Sequence, residues 1–343
     1  MTRREAVKRA LAFAPASPAP YNLDFTRDMR RKLQEHWGRE DVDEAVGNFM
    51  LQINVGSNAG AEVNRVAAGL MKPLGPGHWL DEFGVDWDKS AGDDIGLPAN
   101  QVVDAPDADK LSLPDPADPP RWKGYERIKA TAGDRYVLAC FSSPLFQRAW
   151  FLRGMAQWLM DLAGEPEFVE ALLDKLMSFS LGVVAQIARR GADGVFFYDD
   201  YAQQTGLMLS PGMFRRFFKP RLARIFSAVR QAGMDVFFHS CGDVSAVLED
   251  LREAGAQVFN PFQPEVMDVE EMARRFAGRL AFYGGVSTQK TLPYGKPDDV
   301  RAEVRRLRKI FAGGGYILAP AHAIQRDVPV ENVLALLEAA REA

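Results

Sequence analysis

Apolar runs of five to seven residues recur from Gly133 onward, each followed by a polar loop and then a stretch with apolar residues at helical spacing. Six such runs stand out: Tyr136–Phe141, Gly194–Asp199, Asp235–Cys241, Gln257–Pro261, Leu280–Gly284 and Tyr316–Ala321. The stretches between them read as helices. Glu167–Arg189 repeats apolar residues at Phe168, Ala171, Leu172, Leu176 and Phe179, and Gly191 stops it before the next run. Val244–Ala254 is closed by Gly255 in the same way, and Asp298–Phe311 opens on an acidic turn and ends before Gly313-Gly-Gly315. Alternation of this kind predicts parallel strands covered by helices.

The runs are apolar on both faces and end in loops rich in chemistry: Tyr198-Asp-Asp-Tyr201, His239-Ser-Cys-Gly242, Asn260-Pro-Phe-Gln263, Gly284-Gly-Val-Ser-Thr288 and Pro320-Ala-His-Ala323. Functional groups at the carboxyl ends of strands are what a (β/α)8 TIM barrel predicts. A doubly wound sheet would alternate too, but no Gly-x-Gly-x-x-Gly follows a first strand. The first third of the chain is less regular. Tyr21–Phe25 is a candidate first barrel strand, and His78–Asp88 with Ile95–Val103 reads as a hairpin or meander. Residues 104–120 hold five prolines and read as an irregular surface loop. With no internal repeat or domain linker in view, the expectation is one barrel domain over residues 1–343, with an N-terminal extension at 1–19 and a hairpin or meander insertion.

Composition narrows the partners. Lys+Arg 42 against Asp+Glu 46 leaves a net charge of -4 with no long block of either sign, so neither nucleic acid nor a membrane surface is an expected partner. No apolar segment could serve as a signal sequence or span a bilayer, and the two cysteines are too few for a disulfide scaffold. A cytoplasmic protein with both thiols reduced is expected, with a homodimer as the candidate assembly.

His239 and Cys241 lie two apart on one run, so an extended strand presents imidazole and thiol from the same face. Nitrogen and sulfur together suit zinc. His322, after the last run, is the natural third ligand, because that strand end would open on the same mouth. Asp199 and Asp200 are the candidate catalytic carboxylates. Neighbours on a strand face opposite ways, so one enters the mouth while the other caps a helix or binds a loop amide. Gln203, Gln204, Asn260, Gln263, Gly284, Gly285 and Ser287 offer amides, a hydroxyl and close backbone approach, and form the expected substrate-binding set. No phosphate loop, Gly-x-Ser-x-Gly or His-Glu-x-x-His motif is present.

From about Pro20 onward the chain resembles the uroporphyrinogen decarboxylase superfamily. The segments that carry the resemblance are Asp81-Glu-Phe-Gly-Val-Asp-Trp87, Phe197-Tyr-Asp-Asp200, Leu209-Ser-Pro211 with Phe218-Lys-Pro-Arg221, His239-Ser-Cys-Gly242, Asn260-Pro-Phe-Gln263, Phe282-Tyr-Gly-Gly-Val286 and Gly314-Gly-Tyr-Ile-Leu-Ala-Pro320. The resemblance implies a (β/α)8 barrel and one of two activities. One is cofactor-free decarboxylation of uroporphyrinogen acetate arms; the other is zinc-dependent methyl transfer between a corrinoid partner protein and a thiol or folate. The decarboxylases carry an arginine-rich N-terminal segment that clamps substrate carboxylates, a pattern that Asn22-Leu-Asp-Phe-Thr-Arg-Asp28 does not match. The methyltransferases carry His-x-Cys on one strand, matched by His239 and Cys241, and a Cys on the last strand, where this chain has His322. A neutral imidazole in place of a thiolate leaves bound zinc more positive by one charge and a stronger Lewis acid. A zinc-dependent, corrinoid-linked methyltransferase is therefore expected, with an aryl methyl ether or a folate joining the thiols as donor or acceptor. The alternatives are the metal-free decarboxylase and a non-catalytic barrel that binds a corrinoid or tetrapyrrole.

Overall fold

A computed structural model describes residues 1–56, 70–90 and 96–342. Seven parallel strands lie side by side in chain order: β1 Met50–Asn54, β2 Tyr136–Ser142, β3 Gly194–Tyr198, β4 Asp235–His239, β5 Val258–Asn260, β6 Ala281–Val286 and β7 Tyr316–Pro320. Six of them fall on the apolar runs. β1 was not expected, because Gln52 and Asn54 interrupt its apolar residues.

Tyr21–Phe25 forms two isolated parallel bridges to the β7 side, Tyr21 to Leu318 and Phe25 to Ile324, rather than a continuous strand. Toward β1 the Phe49 amide donates to the Tyr21 carbonyl, but the Asn48 side chain then takes over, accepting from the Leu23 amide at 2.8 Å and donating to the Leu23 carbonyl at 3.0 Å. The segment is thus bonded to both outer strands of the sheet, in part through side-chain amides that replace the ladder.

Helix α1, Arg3–Leu11, occupies what reads as an N-terminal extension. It has a capping box between Thr2 and Glu5, buries Ala6, Val7 and Ala10, and lies against the amino ends of the strands. Arg3 pairs with Asp134 ahead of β2, Arg4 with Asp193 ahead of β3, and Lys8 with Asp235 at the start of β4. The helices α2 Phe146–Arg153, α3 Pro166–Arg190, α4 Lys219–Gln231, α5 Leu248–Ala254, α6 Pro297–Ile310 and α7 Val330–Arg341 follow strands as the alternation predicts. α3 buries Phe168, Leu172, Leu176 and Phe179 from its expected stripe, each stabilising by about 2 kcal/mol relative to exposure.

The expected meander is a four-stranded antiparallel sheet of Lys72–Gly75, His78–Leu80, Asp86–Asp88 and Leu97–Pro98. His78–Asp88 is two strands rather than one, because Asp81 Oδ1 accepts from the amides of Phe83 and Val85 and turns the chain between them. Of the run expected at Ile95–Val103 only Leu97–Pro98 is strand, and Ile95 lies outside the described residues. The proline-rich stretch is irregular but pinned: Lys175 Nζ binds the Ala108 carbonyl at 2.7 Å and Trp122 Nε1 binds that of Pro116 at 2.9 Å. Among the described residues no helix is long and apolar enough to cross a membrane.

Candidate metal centre at the carboxyl ends of the strands

β4 ends on His239, and the backbone beyond it stays laced to its neighbours. The Asp199 amide binds the His239 carbonyl at 3.0 Å, and the Ser240 amide binds that of Asn260 at 3.0 Å. The loops after β3 and β4 therefore leave the sheet together. They bring His239, Cys241 and Asp200 into a group whose donor atoms all lie within 4.8 Å of one another. His239 Nε2 is 3.2 Å from Cys241 Sγ and 3.6 Å from Asp200 Oδ1.

The orientation of His239 is fixed from behind. Asn260 Nδ2 donates to the Tyr283 carbonyl at 2.9 Å, so its Oδ1 is the atom that meets His239 Nδ1, at 2.5 Å. An acceptor there requires the proton on Nδ1 and leaves the Nε2 lone pair directed at Cys241 and Asp200. Burial holds the imidazole below its ordinary range, Asp200 draws it back up, and His322 pushes it down again. Neutral imidazole is the ligating form. Burial also pushes the Cys241 thiol up, and Asp200 adds to that rise. A bound divalent cation would oppose both terms by favouring thiolate.

The two aspartates, just past the end of β3, face different ways. Asp199 is fully buried and caps α2, accepting from the amides of Phe146 at 2.9 Å and Gln147 at 2.7 Å and from the Tyr201 hydroxyl at 2.8 Å. Burial pushes its carboxyl up to about 7 against those three donors. Asp200 faces the cluster, held by the Cys241 amide at 2.8 Å and by Gln147 Nε2 at 3.0 Å. His322 stands beside His239 with ring centroids 6.3 Å apart, exposed, two residues past the end of β7. Asp200, rather than His322, is the third donor of the tight group.

The expected substrate-binding residues scatter. Asn260 is the partner of His239. Gln203 and Gln204 lie exposed at the end of one strand and in the turn of a two-stranded ribbon, where Gln204 meets Gln289 at 3.3 Å and the Gln203 carbonyl receives the Asp243 amide. Gln263 is buried, and its carbonyl takes the amides of Val266 and Met267. Gly284 and Gly285 are buried inside β6 with φ of 135° and 97°; a Cβ on Gly284 would strike the Pro261 carbonyl. Ser287 donates to Glu265 and accepts from the amides of Lys290 at 2.9 Å and Thr291 at 3.3 Å. Close packing and local capping account for the two glycines and the serine.

A parallel α/β sheet with polar donors gathered at its carboxyl ends is a fold of the barrel-like class. A model of the uroporphyrinogen decarboxylase (URO-D) family matches residues 80–343, and the chain belongs to that family. It is 27% identical over 176 residues to the methylcobamide:CoM methyltransferase of Methanosarcina barkeri, a match covering 51% of this chain and 49% of that one. It is 30% identical over 181 residues to a uroporphyrinogen decarboxylase of Thermus thermophilus, covering 52% and 50%. A uroporphyrinogen decarboxylase of Anaeromyxobacter is 29% identical over 262 residues, covering 74% and 72%. The chain spans about half the length of the first two relatives. Among solved structures, a methyltransferase from Methanosarcina mazei superposes with a TM-score of 0.76 over 99% of this chain and 98% of that one. At 18% identity that likeness is one of fold.

Proposed function

We propose that the chain is a zinc-dependent methyltransferase, moving a methyl group between a corrinoid protein or methylated small molecule and a thiol, folate or similar acceptor. The observation that carries the reading is the Nε2 lone pair of His239, aimed by Asn260 at Cys241 and Asp200. Nitrogen, sulfur and oxygen donors at this spacing fit zinc, and three protein ligands leave one position for an exogenous group. Bound there, zinc would supply Lewis acidity, lowering the pKa of a thiol or hydroxyl placed in the open position.

The chain's own residues do the rest. Asn260 keeps His239 from turning, while Gln147 and the Cys241 amide keep Asp200 on the cluster. His322, exposed beside His239, would orient an incoming group. The methylcobamide in the name of one relative supports a corrinoid partner. In this reading the whole chain is one domain, and Pro20–Phe25 takes the remaining strand position of a (β/α)8 barrel between β7 and β1.

Metal analysis of protein purified without chelator tests the centre. The expected result is close to one zinc per chain, lost in His239→Ala and in Cys241→Ser. A trace of zinc that neither substitution changes overturns the reading. A second reading, metal-free decarboxylation of tetrapyrrole acetate groups, is favoured by the decarboxylase name of the relative matched over 262 residues. Turnover of uroporphyrinogen by metal-stripped protein would decide for it.

A further inference from the structure

The inner face of the sheet carries a second polar cluster that the metal reading leaves unused. Asn22 and Asp24 alternate with the buried Tyr21, Leu23 and Phe25, so the two polar side chains share one face. Asp24 Oδ2 accepts from Gln52 Nε2 at 3.0 Å and from the Tyr283 hydroxyl at 3.1 Å, and Oδ1 accepts from Asn22 Nδ2 at 3.2 Å. A carboxylate offers about four acceptor positions. Among the described residues three are filled, and the remaining one is on Oδ1.

The cluster continues toward the metal side. Gln52 Oε1 lies 3.3 Å from the Tyr198 hydroxyl and 3.6 Å from Cys140 Sγ, and the Tyr198 ring packs on His239 with centroids 4.9 Å apart. Asp24 is therefore separated from His239 by two side chains, Gln52 and Tyr198. All three of Asp24, Gln52 and Tyr198 are partly exposed although most of their chain neighbours are buried, so solvent reaches this face. The charged groups that act on Asp24 are Arg30 and Asp43, which pair with each other at 2.9 Å. That pairing leaves little net positive charge for a second anion.

We infer that Asp24 is a specificity-determining group of this same site: it takes a hydrogen-bond donor of the substrate, a hydroxyl or an amine, and rejects a carboxylate. The inference rests on the metal reading, because the metal would anchor the other end of the substrate. Two carboxylates side by side repel, whereas an ammonium or hydroxyl fills the open acceptor on Oδ1.

The test uses zinc-loaded full-length protein and alkanethiols with two to four methylenes, ending in a hydroxyl, an amine or a carboxylate, with binding read by calorimetry. The expected result is that wild type binds the amine and hydroxyl members roughly tenfold tighter than the carboxylate of equal length. In Asp24→Asn the gap between amine and carboxylate should shrink by roughly the same factor, a change in ratio that loss of stability alone does not produce. An unchanged ratio in Asp24→Asn overturns the inference and leaves the metal reading standing. If zinc-loaded wild type binds none of the thiols, the inference falls, while the metal reading is decided by the zinc stoichiometry. Should Asp24→Asn fail to fold, the wild-type series decides alone, and equal affinity for amine and carboxylate overturns the inference.

Discussion

Glu303 reaches from α6 to the Ser287 amide at 3.3 Å, while its Oε2 is buried without a partner among the described residues. Burial raises its carboxyl above the ordinary 4.5; Thr291, the Ser287 amide and Arg306 oppose the rise, and Glu265 adds to it. The folded chain therefore binds this proton more tightly than the unfolded chain does. Its contribution to stability is full below that ordinary value and is lost as pH rises through the raised one. Glu303→Gln should change the urea midpoint little near pH 4 and raise it near pH 8; an equal shift at both would refute the assignment. A carboxylate on a surface-like helix gave no sequence signal for this, since only the fold brings Glu265 and Ser287 to it. Asp24 was hidden for a different reason. Its alternation with Leu23 and Phe25 was visible, but nothing in the chain showed that Tyr283, far along in sequence, would face it.

At the scale of elements, one carboxylate ties a strand end to a helix. Asp199, just past β3, supplies the cap that α2 lacks from its own residue Leu145. Asp199→Ala would leave the amides of Phe146 and Gln147 and the Tyr201 hydroxyl without this acceptor, and should cost about 2 kcal/mol of stability in chemical denaturation. Asp200→Asn should instead leave stability nearly unchanged and weaken zinc binding by roughly tenfold or more. Similar effects of both substitutions on stability and metal would contradict this division of labour. The strand period told that the two aspartates must part, but not which one faces the cluster. β3 stops at Tyr198, so the phase beyond it is set by the Cys241 amide and by Gln147, contacts that no local pattern contains.

Across the whole molecule the strand–helix alternation was legible wherever strands are apolar on both faces, and lost where side chains do the pairing, as at Asn48 and Leu23. The role of α1 was likewise unreadable, because its partners Asp134, Asp193 and Asp235 lie at or just ahead of the starts of three separate strands. This helix sits at the opposite end of the sheet from the donor cluster. Deleting residues 1–12 should lower the melting temperature by roughly 5 °C or more while zinc stoichiometry is retained; loss of zinc in a folded truncation would show that the two ends are not independent. The two poles of the site itself are not independent either, because Tyr283 belongs to both. Its carbonyl holds the Asn260 amide behind His239, and its hydroxyl holds Asp24. A ligand that favoured one position of Tyr283 at Asp24 would then bear on the imidazole at the other end. By reciprocity, a metal that steadied His239 would lessen the ordering left for a substrate at Asp24.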